Sequence, residues 1–518
     1  MGRRWKNACH TCRRRRLRCD EAKPLCQRCS ADGIECQGYG NLILWVDGIA
    51  SRGKMMGKSY NVAQSTPAAA RTATASETIS SSTPNNDLSS YQVAPLTHPT
   101  TTPEPEPILY YTPLDPWSQQ FDHPTRHYLS HFLIHVGNDL IVHNVPSHNP
   151  NPLRLLLGLA QRNSSLFHII VAMSAEHLYN LLLRSPDAQT YHVDGLRSKG
   201  KALQLLSDEL RHIAPSNYTA VLASSMLFSE LAILETGDDT WRIHVAAAAR
   251  LVQDMAKLLH ELGAEQYTFC SWIISRLILQ DMFGSSLSSA TTSWNVHEFG
   301  GPHASMDSAL RIAELDHYSS CPAQVSRLII AASAQYRTPS QSACCDDSTP
   351  CIFSSIQEFD PGQWALTLQP LTPTDDFTER YHIGSAYKAA AAIYVAQLLP
   401  AGYACDHLPT QPQSLVDEIL HHLVQIPRTN PLFKSTIWPN FIAGAETTNP
   451  QQRSQVLEHL SHLSIAIPWQ SMFIAEQSLK DFWARTDQSN SLLSSDILPC
   501  RRKWIDEFRT MSVSIYPA

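Results

Sequence analysis

Six cysteines near the amino terminus carry the clearest chemistry in this sequence. Cys9, Cys12, Cys19, Cys26, Cys29 and Cys36 spell one unit, C-x2-C-x6-C, written twice with an offset of 17 residues. A C-x2-C pair within a helical turn aims two thiolates at one metal ion, and zinc takes such ligands in a tetrahedron. Two tetrahedral ions need eight ligand positions, and this stretch offers six sulfurs. Two thiolates must then serve both ions. If the repeat reflects a pseudo-twofold axis, the bridging pair is symmetry-related, and the leading cysteines Cys9 and Cys26 are the natural choice. The competing use of six cysteines is a disulfide framework, which belongs to small secreted domains in oxidising compartments. No secretory leader is read ahead of Cys9, and the chain is far longer than such a domain.

Between the second and third cysteines lie Arg13, Arg14, Arg15, Arg16 and Arg18. A helix after Cys12 would wrap this run around about two turns. Several guanidiniums could then straddle a phosphate backbone while one or two enter a groove, where the rigid arginine fork matches the N7 and O6 acceptors of guanine. A solvated basic face or a nuclear-import signal is the plainer reading, since Arg3, Arg4 and Lys6 extend the block. Metal storage gives no reason to place five arginines among the ligands.

The six cysteines, the basic run and Lys23-Pro24 in the loop before Cys26 resemble the fungal binuclear zinc-cluster (six-cysteine) transcription factors. The resemblance covers about 30 of the 518 residues. It implies that the first and fourth cysteines, Cys9 and Cys26, bridge two zinc ions. It also implies that the helix following the second cysteine enters the major groove and reads a CGG-like triplet. Carried over by position, the base-reading residues are Arg15 and Arg16, with Arg13, Arg18 and Lys23 near phosphates. The family usually has lysine at several of these places, and the arginines here keep a guanine preference.

The elements that must position this module are read from the rest of the chain. The formal charge is −7, which alone would argue against nucleic acid. Residues 1–40 hold ten Lys/Arg and four Asp/Glu, a formal +6, which leaves −13 on the remainder. Six thiolates and two zinc ions together would lower the module by two, to about +4. A basic tip on an acidic body is the pattern of a DNA binder with a separate regulatory part. The other seven cysteines (Cys270, Cys321, Cys344, Cys345, Cys351, Cys405 and Cys500) are scattered, as suits a reducing compartment, and Cys344-Cys345-x5-Cys351 reads as a loop. No uninterrupted apolar run reaches about 18 residues, so no membrane span is expected.

Four segments are expected along the chain: a zinc-cluster module over 1–40, a short apolar and basic extension over 41–58, a linker over 59–110 and a helical domain over 111–518. Leu42–Val46 followed by Asp47-Gly48 reads as a short strand entering a turn. No a/d heptad pattern follows the cluster, so a coiled-coil dimer element is not expected there, and dimerisation is left to the body. The Ser, Thr, Ala and Pro-rich stretch up to Pro107 has too little apolar surface to offset ordering entropy and is expected to be a disordered tether.

Beyond about Leu114 the periodicity is helical. Leu166, Ile169, Ile170, Met173 and His177 form one stripe, Leu203, Leu206, Leu210 and Ile213 a second, and Trp241, Val245, Ala248 and Val252 a third that Asp239 or Thr240 could cap. Further helices are expected around 219–234, 269–283, 378–399, 414–425, 454–464 and 469–485. The fold class is therefore a small binuclear zinc-cluster module, a disordered linker and a large all-α domain of antiparallel helical hairpins. Asn151–Arg154, Ala172–Leu178 and Gly237–His244 resemble stretches of the fungal-specific regulatory domain that accompanies some of these clusters. That resemblance implies regulation: effector sensing, partner contact or masking of transactivation.

An enzyme is not expected. The chain shows no Gly-rich phosphate loop, no H-E-x-x-H and no G-x-S-x-G elbow. His177 and His244 lie near apolar stripes and read as structural, and Asp238-Asp239 reads as helix capping. The expected function is a nuclear, sequence-specific transcription regulator, an activator in its simplest form, that binds double-stranded DNA and transcription co-regulators. The alternative is an interaction protein whose helical body binds another regulator while the cluster adds only weak DNA affinity. By family alone, secondary-metabolite or resistance genes are the implied targets.

Overall fold

In the computed structural model the chain divides into two units, Met1–Thr102 and Pro103–Ala518. The structure describes residues 9–15, 17–20, 22, 26–32, 34 and 36 of the first. Of the second it describes residues 117–142, 152–183, 185–254, 262–287, 294, 306–337, 352–368, 377–398, 412–492, 503–510 and 516. The expected strand at 42–46, the linker and the Cys344–Cys351 loop lie outside the described residues.

The first unit holds two short helices, α1 (His10–Arg15) and α2 (Gln27–Ala31), each carrying one C-x2-C pair at its start. The arginine run does not continue as helix. Helix α1 closes at Arg15, and Leu17–Asp20 is non-helical, so Arg18 lies beyond it and the expected two helical turns shrink to one and a half. The cause is local: the Leu17 N–H turns back to the Cys12 carbonyl at 2.9 Å, carrying the chain toward Cys19.

The second unit is helical. Its amino-terminal half contains α3 (His123–His131), α4 (Gly137–Leu140), α5 (Leu153–Ala160), α6 (Ser164–Leu181), α7 (Ala188–Leu210), α8 (Tyr218–Glu235), α9 (Trp241–Asp254) and α10 (Ala264–Ser286). After these come α11 (Met306–Asp316), α12 (Ala323–Arg337), α13 (Ile352–Glu358), α14 (Pro361–Leu368) and α15 (Phe377–Leu398). The carboxy-terminal part is α16 (Pro412–Val424), α17 (Ile437–Glu446), α18 (Pro450–Ala466), α19 (Gln470–Leu492) and α20 (Trp504–Thr510). Among the described residues the only β pairing is an isolated antiparallel bridge between Ile141 and His317.

Several helices start where short polar side chains take orphan N–H groups. Asp122 Oδ1 accepts from the Thr125 N–H at 3.0 Å, Asn163 Oδ1 from Leu166 at 2.8 Å and Asn449 Oδ1 from Gln451 at 2.9 Å. Pro124 and Pro450 stand in the first turns of α3 and α18, where no N–H is missed.

Two helices organise the body because they are buried on nearly every side along most of their length. Helix α8 packs against α6, α9, α10 and α19, and α15 against α12, α14, α16 and α17. Helix α8 has the length and mean hydropathy, 1.3, of a membrane span, and it is 94 % buried inside the body. The stripe Leu166, Ile169, Ile170, Met173, His177 is buried throughout, as is Trp241, Val245, Ala248, Val252. The stripe on α7 is not. Leu206 is buried, but Leu203 and Leu210 are 40 % and 41 % exposed, because α7 turns Gly195, Ala202 and Leu206 inward and packs along α6.

Several polar groups inside the body pair with one another. Arg276, 1 % exposed, donates from Nη1 to the Leu140 carbonyl at 2.7 Å and pairs with Glu230 at 3.2 Å. His177 joins Asp139 at 2.9 Å and His131 at 2.9 Å, and Trp469 Nε1 donates to the same Asp139 oxygen at 3.0 Å. His244 stacks on Phe228 at 5.1 Å. Both sequence-flagged histidines thus sit in packing networks. Asp238 closes the turn before α9 by accepting from the Thr240 N–H at 3.0 Å, and Asp239 pairs with Arg242 at 2.8 Å. The preceding Gly237 has φ +61, and a Cβ there would lie 2.7 Å from the Ser471 backbone. Tyr516 completes the core, its hydroxyl 3.2 Å from that of Tyr318 and its ring edge-on to Trp241 at 5.6 Å.

Candidate metal centre and nucleic-acid interface

The duplicated cysteine spacing becomes a duplicated geometry. Cys9 N–H donates to Cys19 Sγ at 3.4 Å, and 17 residues on, Cys26 N–H donates to Cys36 Sγ at 3.4 Å. Cys12 N–H donates to Cys9 Sγ at 3.3 Å, and Cys29 N–H to Cys26 Sγ at 3.3 Å. Leu17 N–H reaches the Cys12 carbonyl and Ile34 N–H the Cys29 carbonyl, both at 2.9 Å. Each of these three contacts of the first half recurs in the second with the same offset, so the repeat folds as a pseudo-twofold pair.

The sulfurs fall into two groups of four. Cys9, Cys12, Cys19 and Cys26 form one and Cys9, Cys26, Cys29 and Cys36 the other, each with its Sγ atoms within 4.8 Å of one another. Cys9 and Cys26 belong to both groups, 3.5 Å apart. Cys12 Sγ lies 3.7 Å from Cys26 and Cys29 Sγ 3.8 Å from Cys9. A zinc tetrahedron with bonds of about 2.3 Å sets its sulfurs roughly 3.8 Å apart, whereas a disulfide needs about 2.05 Å. The spacing fits metal ligation, and all six cysteines are free of disulfides. Burial pushes the Cys9, Cys12, Cys26 and Cys29 thiols up from their ordinary value, so thiolates at this spot call for a compensating cation. When bound, two zinc ions would serve as the core that this small module otherwise lacks.

The basic residues are placed unevenly. Arg15 is exposed at the end of α1 and Arg18 is exposed in the turn after it. Arg13 lies within α1, but its side chain, like Arg16 and Lys23 as a whole, falls outside the described residues. Arg15 Nη1 stands 3.6 Å from Asp32 Oδ2, which also receives Arg28 at 3.6 Å.

Two acids escaped the sequence reading. Asp20 accepts from the Gln27 and Arg28 N–H groups at 3.0 and 3.2 Å, and those bonds hold its carboxyl below the ordinary range. It thereby ties the loop after Cys19 to the start of α2. Asp32 is the ion-pair partner that Arg15 and Arg28 share. A signal for Asp32 was present: it stands 17 residues after Arg15, at the repeat-equivalent position. Asp20 had no such mark.

Comparison with known proteins agrees with this geometry. Residues 7–44 match the fungal Zn(2)-Cys(6) binuclear cluster domain, and residues 127–516 match the fungal specific transcription factor domain. The acriflavine sensitivity control protein acr-2 of Neurospora crassa is 25 % identical over 93 % of this chain and 92 % of its own. The pestheic acid cluster transcriptional regulator 3 of Pestalotiopsis fici is 27 % identical over 47 % of this chain and 48 % of its own. The transcriptional regulatory protein moc3 of Schizosaccharomyces pombe is 56 % identical over 39 residues, 8 % of each chain. No solved structure matches the chain. The six cysteines form a two-zinc cluster of the DNA-binding kind, joined to a large helical domain. The chain belongs to the fungal specific transcription factor family, with a Zn(2)-Cys(6) binuclear cluster domain at its amino-terminal end.

Proposed function

We propose that this transcription regulator acts in the nucleus by reading CGG-like triplets in double-stranded DNA. Cys9, Cys12, Cys19, Cys26, Cys29 and Cys36 hold the two zinc ions, Cys9 and Cys26 bridging them. Arg15 and Arg16 read guanines, and Arg13, Arg18 and Lys23 neutralise phosphates. The helical domain regulates the outcome, as an activator in the simplest form, through co-regulators. The observation that carries this reading is the exposed guanidinium of Arg15 at the open end of α1, on a module whose fold is fixed by its metal ligands. The names of two similar proteins, one controlling acriflavine sensitivity and one regulating a pestheic acid cluster, support a resistance or secondary-metabolite gene set.

Selection of preferred sites from random duplex DNA by the zinc-loaded full chain tests it. Enrichment of a G-C triplet, relaxed by Arg15→Ala or Arg16→Ala and merely weakened by Arg18→Ala, is the expected result. Binding without any enriched triplet would leave a non-specific DNA-binding module and overturn the proposal.

A further inference from the structure

Helix α7 presents to solvent an apolar line with heptad spacing. Val193, Leu196, Leu203 and Leu210 are 43 %, 50 %, 40 % and 41 % exposed, and the three leucines are seven residues apart. That is the spacing of a helix seam that lies against a second helix. The intervening seam positions, Gly200 and Ser207, are small and exposed. Gly200 stands in the middle of a 23-residue helix, where glycine is the costliest residue after proline. A Cβ at Gly200 would meet nothing within 4 Å, so the chain's own fold gives no steric reason for glycine there. A close-approaching external helix supplies one.

We infer that α7 is a homodimer interface, on which a second copy of this chain lays its own α7 antiparallel about a twofold axis between Lys201 and Ala202. In that register each leucine covers a smaller residue of the other copy: Leu203 over Gly200, Leu196 over Ser207 and Leu210 over Val193. The charges bordering the seam suit the same arrangement. Arg197 pairs with Asp194 at 2.8 Å and Arg211 with Asp208 at 2.9 Å, and the two arginines are among the most exposed ion-pair members of the body. Antiparallel pairing brings Arg197 within two residues of the level of Asp208 of the second copy, and Arg211 within two of its Asp194. Each end of the seam then holds two arginines and two aspartates, a neutral quartet. A parallel pairing would set Leu203 on Leu203 and leave Gly200 facing Gly200, a gap at the centre of the seam.

Sedimentation velocity of the zinc-loaded full chain, over roughly 1–50 µM as befits a small interface, tests this. The expected result is a concentration-dependent dimer whose dissociation constant rises at least about tenfold in Leu203→Glu and in Leu196→Glu. Gly200→Leu is the decisive variant, because its two effects have opposite signs. Under dilute, monomeric conditions it should raise the melting temperature, through better helix propensity. It should also weaken the dimer at least about tenfold, by filling the place of Leu203 from the other copy. A chain that stays monomeric throughout the range overturns the inference. So does a dimer indifferent either to the leucine substitutions or to Gly200→Leu.

Discussion

Arg15 and Asp32 occupy equivalent positions of the two halves of the zinc module, 17 residues apart, and their side chains meet 3.6 Å apart. The internal repeat thus places a basic residue at one position and an acidic one at its equivalent. The pair is exposed, so it adds little to stability. On the proposed reading its consequence is for recognition: Asp32 holds the guanidinium of Arg15 near the module and adds a negative charge beside a proposed DNA contact.

Replacing Asp32 with Asn should therefore strengthen DNA binding, by about two- to fivefold and for all sequences alike. Fluorescence anisotropy with a CGG-bearing duplex and a scrambled one measures this. If Asp32→Asn weakened binding to the CGG duplex alone, Asp32 would be a positioning residue for Arg15 rather than a brake.

The shared ligands make a second prediction. Cys9 and Cys26 lie in both groups of four sulfurs, whereas Cys19 and Cys36 lie in one each. Cys9→Ser or Cys26→Ser should reduce the zinc content from two ions per chain toward none. Cys19→Ser should retain about one ion, and chelation of the native chain should unfold the module. Zinc determination on the purified chain decides it, and equal retention by the Cys9 and Cys19 variants would contradict the bridge.

How much of this was legible in the sequence depends on whether a residue's role is local. The six cysteines announced the module because metal geometry constrains spacing directly. Stripes such as Leu166 to His177 announced buried faces, since α6 turns those residues inward. Helix α7 misled because apolar spacing says that a face is apolar, not what covers it. Its inward face relies on Gly195 and Ala202, small residues that register weakly as hydrophobic yet allow close packing on α6. The central helices α8 and α15 are buried nearly all round, so neither offers a one-sided apolar stripe that would reveal its neighbours. Arg276 and Glu230 meet across 46 residues of sequence, and no short-range pattern marks such a pair.

That pair gives a third prediction. Glu230 and Arg276 are 2 % and 1 % exposed, and removing the carboxylate leaves a buried guanidinium without its counter-charge. Glu230→Ala should cost about 3–5 kcal/mol. Thermal or denaturant unfolding of the full chain reads the loss, and a cost near zero would mean that the Leu140 carbonyl and the Trp272 ring satisfy Arg276 without Glu230.

Trp241 and Gly284 carry a fourth. Trp241 is fully buried against Gly284, where an added Cβ would stand 2.0 Å from the indole. Arg242 holds the same point by donating to the Gly284 carbonyl at 2.6 Å, so backbone and ring cannot both give way. Gly284→Ala should destabilise the body by about 3 kcal/mol despite the better helix propensity of alanine. Unchanged unfolding in this variant would show that the Trp241 ring can move aside.

The last prediction concerns acid. Burial holds His244, His422 and His459 down to about 4, and His131 down to about 2, from an ordinary 6.5. Each of these side chains is neutral in the folded body at neutral pH. The unfolded chain takes up their protons as pH falls below about 6.5, while the folded chain does not. Stability contributed by the neutral rings is therefore full above pH 6.5 and is lost as pH falls toward 4. Each ring contributes about 1.4 kcal/mol per pH unit at most, so the four together remove roughly 3–5 kcal/mol between pH 6 and 5. Glu176 and Glu418, raised by burial, take up protons in the folded state and oppose part of that loss. Melting curves of the full chain followed by helical circular dichroism should show a melting temperature that falls steadily from pH 7 to 5. His244→Gln, which cannot be protonated, should flatten the slope. A melting temperature independent of pH over that range would mean that the buried histidines are rehydrated or paired on acidification, and the stacking of His244 on Phe228 would then not exclude water.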